Sequence, residues 1–90
     1  MINENILSKI FEQNKINNVI MVEENNYLNF IISNMTSSLS LDKWEYLENI
    51  LKDVTSKNIN IITYNQALKN LGNDYIKKGV VIRWKMATNF

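Results

Sequence analysis

The pattern along this chain predicts an α/β fold of the α+β kind. It reads as a small mixed β-sheet with helices packed on one face, in the order αββαβαβ, over a single domain spanning residues 1–90. Three observations carry that reading. Two segments place apolar residues at helical spacing, four short runs are rich in β-branched and aromatic residues, and polar or glycine breaks separate them.

Ile2, Ile6, Leu7, Ile10 and Phe11 recur at helical spacing, so residues 3–13 form the first predicted helix. Asn14 to Asn18 interrupts it. Val19-Ile20-Met21-Val22 and Tyr27 to Ile32 flank the polar turn Glu23-Glu24-Asn25-Asn26, which makes the pair a β-hairpin. Asparagine tolerates the positive φ that a tight turn demands. Ser33 to Ser40 is a polar linker ending in a good N-cap, with Asp42 in the favourable first turn. Leu41, Trp44, Leu47, Ile50, Leu51 and Val54 then form one apolar stripe. Ile59 to Thr63 is the next strand. Asn65 is the expected cap of a short helix through Leu71, ended by Gly72, with a further helical turn near Asp74 to Lys78. After Gly79, Val80 to Lys85 is the last strand.

The long helix between the second and third strands permits parallel pairing, whereas the hairpin is antiparallel. Alternation sorts the faces. Leu28, Phe30, Ile32, Ile59, Ile61, Val80, Ile82 and Trp84 are expected to meet the helices. Tyr27, Asn29, Ile31, Asn60, Ile62, Val81, Arg83 and Lys85 fall on the opposite face.

Composition excludes several chemistries. The chain has no cysteine and no histidine, which removes disulfides, thiol catalysis, Ser-His catalysis and the commonest metal ligand. The chain's two glycines are Gly72 and Gly79, and neither a P-loop nor a dinucleotide fingerprint is present. The net charge of +1 gives no global attraction to nucleic acid or anionic membrane. Charge is nonetheless uneven, because residues 1–65 hold five lysines against eight acids while residues 66–90 hold five basic residues against Asp74 alone. No run matches a membrane span or a secretory signal, so a cytoplasmic protein is expected. Richness in Asn, Ile and Lys fits an AT-rich bacterial, phage or plasmid genome.

Two constellations have bland readings beside the chemical ones. Glu23-Glu24 with Asp74 offers three carboxylates, yet neighbours on a strand point apart. Lys77, Lys78, Arg83 and Lys85 with Trp84 supply the ingredients of nucleic-acid contact, but equally describe a solvated helix end beside a core tryptophan.

Asn58-Ile59-Asn60-Ile61-Ile62-Thr63, preceded by the long helix and followed by Lys77-Lys78-Gly79-Val80-Val81-Ile82, resembles the second half of small nucleotidyltransferase domains of the DNA polymerase β superfamily, the antitoxin-like type. Members of that family carry a Gly-Ser turn, a strand with Asp-x-Asp, and a third Asp on the strand after the helix. Three such carboxylates are held together by divalent metal beside a nucleotide triphosphate. Laid on that pattern, Tyr27-Leu28-Asn29 stands at the Asp-x-Asp site and Asn60 at the third acid. The Gly-Ser turn is replaced by Glu23-Glu24-Asn25-Asn26.

The resemblance therefore implies a non-catalytic relative, without cofactor or metal, that acts on a protein partner or as a homodimer. The expected binding face holds Tyr27, Asn29, Ile31, Asn60, Ile62 and Val81, and the bland alternative has a loop or the tail Met86–Phe90 covering it within the monomer. Other readings of the chain are a phage or mobile-element protein that blocks a host protein, a small nucleic-acid-binding module, and a transferase with displaced acids that needs Mg²⁺.

Overall fold

The structure is a computed structural model and describes residues 2–33 and 39–85. The element order is α1 (Glu4–Gln13), β1 (Asn18–Glu23), β2 (Tyr27–Ser33), α2 (Leu41–Thr55), β3 (Asn58–Thr63), α3 (Tyr64–Asn70), α4 (Asn73–Lys77) and β4 (Val80–Trp84). The fold is thus α+β, with a four-stranded mixed sheet ordered β3-β2-β1-β4. β1 runs antiparallel to both β2 and β4, and β2 runs parallel to β3 through the α2 crossover.

Local chemistry sets the helix ends. The Asn3 side chain accepts from the backbone N–H of Asn5 and Ile6 at 3.0 and 3.2 Å, capping α1. At its other end Lys15 takes φ 60°. Ile16 N–H then donates to Phe11 O at 2.9 Å and Lys15 N–H to Glu12 O at 3.0 Å, the paired bonds of a Schellman motif. Both Ile16 and Phe11 are core residues, so the motif closes with an apolar contact. Ser40 caps α2 as expected, accepting from Lys43 N–H at 3.3 Å. The cap of α3 is Thr63 rather than Asn65, for Thr63 Oγ1 accepts from Gln66 N–H at 3.2 Å. Gly72, at φ 90°, ends α3 and leads into α4, the helical turn expected near Asp74 to Lys78, so two short helices stand between β3 and β4 where the order αββαβαβ counts one.

The predicted one-sided packing is corrected. Helices lie on both faces of the sheet. On one face α1 and α2 press Leu7, Phe11, Leu47 and Leu51 onto Val19, Met21, Leu28, Phe30, Ile32, Ile59 and Ile82. The Phe11 and Phe30 rings meet at 5.3 Å and 53°. On the other face α3 and α4 bring Ala67 and Ile76 onto Val22 and Ile31, with Ile20, Ile62, Tyr64 and Tyr75 at the margin. Central strand β2 is accordingly buried through five consecutive residues, Leu28 to Ile32, whereas edge strand β3 keeps Asn58 and Asn60 exposed.

Two further expectations change. Leu41, assigned to the α2 stripe, is 80% exposed because it sits at the helix entrance, beyond the sheet. Val54 is also exposed. In β4 a bulge breaks the alternation: Val19 pairs with Arg83, but the next residue, Ile20, pairs with Val81. Ile82 and Arg83 therefore both lie on the α1 side, where Arg83 Nη2 bonds Glu12 Oε2 at 3.1 Å. Trp84 is displaced from the predicted core face and lies half exposed opposite Asn18. Asn18, itself buried, accepts from Lys85 N–H at 2.9 Å and pins the strand's end. No helix among the described residues is long and apolar enough to cross a membrane.

Candidate functional site

The parallel register between β2 and β3 sets Tyr27 beside Asn58, Asn29 beside Asn60, and Ile31 beside Ile62. Tyr27 and Asn29, two apart on one strand, point to the same face. The positions singled out by the resemblance, Tyr27, Asn29 and Asn60, are thus brought together. α3 begins at the end of β3, and Ala67, fully buried, keeps the helix close to the sheet. The result is a shallow cleft of about 300 Å³ lined by Tyr27, Asn29, Asn60, Ile61, Ile62, Gln66, Asn70 and Leu71.

The six residues expected to share one face do so, but not as one open surface. Ile62, Ile31, Ile20 and Val81 are register partners in a row across all four strands. α3 and α4 lie over the middle of that row, so Ile31 is 1% exposed and Asn29 5%. Tyr27, Asn60 and Ile62 remain accessible beside β3, while Val81 is exposed at the far edge. The predicted face is therefore divided by the chain's own helices. Of the alternative covers, a loop or the tail Met86–Phe90, the tail lies outside the described residues, as does most of the Ser33 to Ser40 linker.

Asn29 is held from above. Its side-chain N–H donates to the Tyr75 hydroxyl of α4. Burial raises the Tyr75 phenol above the ordinary tyrosine value, and a hydrogen bond to Glu24 pushes in the same direction while Asn29 opposes it. The phenol stays protonated at neutral pH and, through Asn29, links β2 to α4.

The cleft lining is chemically uniform. Four carboxamides and one phenol from the sheet and helix supply donors and acceptors, Ile61, Ile62 and Leu71 supply apolar surface, and no lining residue is formally charged. Glu23, Glu24 and Asp74 do not assemble with one another into a metal-binding group, nor does any set of three His, Cys, Asp or Glu among the described residues. A wider trough of about 750 Å³ lies where the hairpin turn meets the C-terminal end of α2, between Asn25, Asn26, Lys52, Asp53, Ser56, Lys57 and Asn58. Its Lys57 is already engaged by Glu23 at 2.7 Å, and its charges of both signs do not converge on one point.

Sequence reasoning missed Gln66, Asn70, Leu71 and Tyr75. Gln66 and Asn70 stand one helical turn apart immediately after the strand bearing Asn60, a signal that was available. Tyr75 is 46 positions from Asn29, and nothing local connects them. Comparison with protein-family models, curated proteins and solved structures returns no match.

Proposed function

We propose that this chain is a non-catalytic, nucleotidyltransferase-like domain that works by binding another protein, as an antitoxin-like or regulatory partner. The observation that carries the reading is the pairing of Asn29 with Asn60 in a cleft bordered by Tyr27, Ile62 and Leu71. Those two positions are where the resembled family needs carboxylates. An amide keeps the shape and one oxygen of an aspartate but not its charge, so it cannot neutralise Mg²⁺ beside a triphosphate. Protein interfaces, in contrast, concentrate aromatic and apolar residues at their cores and exclude charge.

Two measurements test this. Calorimetry with ATP or GTP and Mg²⁺ is expected to give no saturable heat; micromolar binding that vanishes when Asn29 and Asn60 are changed would overturn the non-catalytic reading. For the surface, the informative variant is Tyr27→Ala with Ile62→Asp, because both positions are only partly buried. A change at Ile31 would disrupt packing instead. The double variant is expected to stay folded by circular dichroism and to lose its partner in affinity capture from native lysate. Retention of the same partner would reject this cleft as the binding surface.

A further inference from the structure

β4 ends the sheet on the side away from β3, so one row of its backbone N–H and C=O groups pairs with no strand among the described residues. Natural edge strands are usually guarded by proline, by inward charge or by a covering element. Among the described residues the guards are weak. Val80, Val81 and Trp84 are 43%, 54% and 48% exposed. The one charge within the strand, Arg83, is turned by the bulge toward Glu12 of α1 and does not stand over the edge. The same bulge places Val81 and Trp84 on one face, opposite Ile20 and Asn18, as a small apolar pair.

Charge brackets this strand. Lys77 and Lys78 precede it, Lys85 follows it, and all three are exposed. We infer that β4 receives an extended apolar segment with acidic flanks from a different protein, added to the sheet as a further strand. Main-chain hydrogen bonds to β4 would supply affinity, Val81 and Trp84 would take alternate side chains, and the lysines would select the flanks. A second copy of this chain fits less well. Antiparallel pairing of two β4 strands sets Lys77 and Lys78 of each beside Lys85 of the other, and like charges opposed across strands destabilise. This surface lies at the opposite edge of the sheet from the cleft, so each can fail without the other.

The test uses the full chain carrying Trp44→Phe, which leaves Trp84 as the fluorescent reporter. Two synthetic peptides share an alternating valine–threonine core; one has glutamates at both ends and the other lysines. The glutamate-flanked peptide is expected to bind saturably and shift Trp84 emission, with at least about tenfold tighter binding than its counterpart, since several ion pairs of modest individual strength are exchanged. That margin should narrow as salt rises. The variant Lys77→Glu, Lys78→Glu, Lys85→Glu, checked for folding by circular dichroism, should reverse the preference; single Lys85→Glu, should the triple variant not fold, should shrink it. No saturable response to either peptide, equal response to both, or an unchanged preference after charge reversal would overturn the proposal. So would concentration-dependent burial of Trp84 without peptide, which would assign the edge to a second copy.

Discussion

The two faces of the sheet alternate along the same strands yet are covered in different ways. Against one face α1 and α2, of ten and fifteen residues, bury Leu7, Phe11, Leu47 and Leu51 with seven apolar residues from the strands. Against the other, α3 and α4, of seven and five residues, bury only Ala67 and Ile76 with Val22 and Ile31. The first layer has the length to bury large side chains and carries the stability. The second is too short to cover the sheet, so its margins hold amides, a tyrosine pair and the cleft. Polar specificity has been placed where the packing is thin.

The strongest way to break that comparison is to truncate each layer. Phe30→Ala removes a fully buried ring that contacts Phe11 and is expected to cost about 3–5 kcal/mol. Leu47→Ala, in the same layer, is expected to cost about 2–5 kcal/mol. If denaturant unfolding gave Ile76→Ala an equal cost to Phe30→Ala, the distinction between the layers would be wrong.

A smaller effect is expected at Gly79, which lies under the short layer. A Cβ there would stand 2.2 Å from Ile20 Cγ2, 3.1 Å from Ile76 O and 3.2 Å from Val22 Cγ2. Gly79→Ala forces Ile20 to move and is expected to destabilise by about 1–3 kcal/mol, read from the same unfolding curves. A neutral outcome would mean that α4 rides loosely enough on β1 to yield.

The smallest effect at neutral pH belongs to Tyr75→Phe, which deprives the buried Asn29 amide of its acceptor at about 1 kcal/mol. Its signature is pH dependence. The folded phenol is raised by burial and Glu24, so the unfolded chain releases that proton first as pH climbs. The associated stability is complete below the ordinary tyrosine range and is lost as pH rises through the folded value. Tyr75→Phe should flatten that alkaline loss. An identical alkaline profile for both proteins would show that Tyr75 contributes nothing to it.

Much of the framework was legible in the residues. Helical spacing located α1 and α2, β-branched runs located all four strands, and Ser40 and Gly72 marked real boundaries, because capping, periodicity and glycine conformation act within a few residues. The face occupied by Tyr27, Asn29, Asn60 and Ile62 also followed from alternation, since successive side chains on a strand must oppose each other. What tertiary structure alone decided was the cover on that face. A run such as Ile31-Ile32 reads the same whether one side or both are buried, so helices on both faces were not foreseeable from the strands. The β4 bulge was equally silent, for it arises from pairing with β1 and not from any residue in Val80–Trp84. The Asn29–Tyr75 bond joins residues 46 apart, and only the return of α4 over β1 and β2 brings them together. Short-range physics determined the pieces and their faces; long-range pairing determined which parts of those faces stayed open.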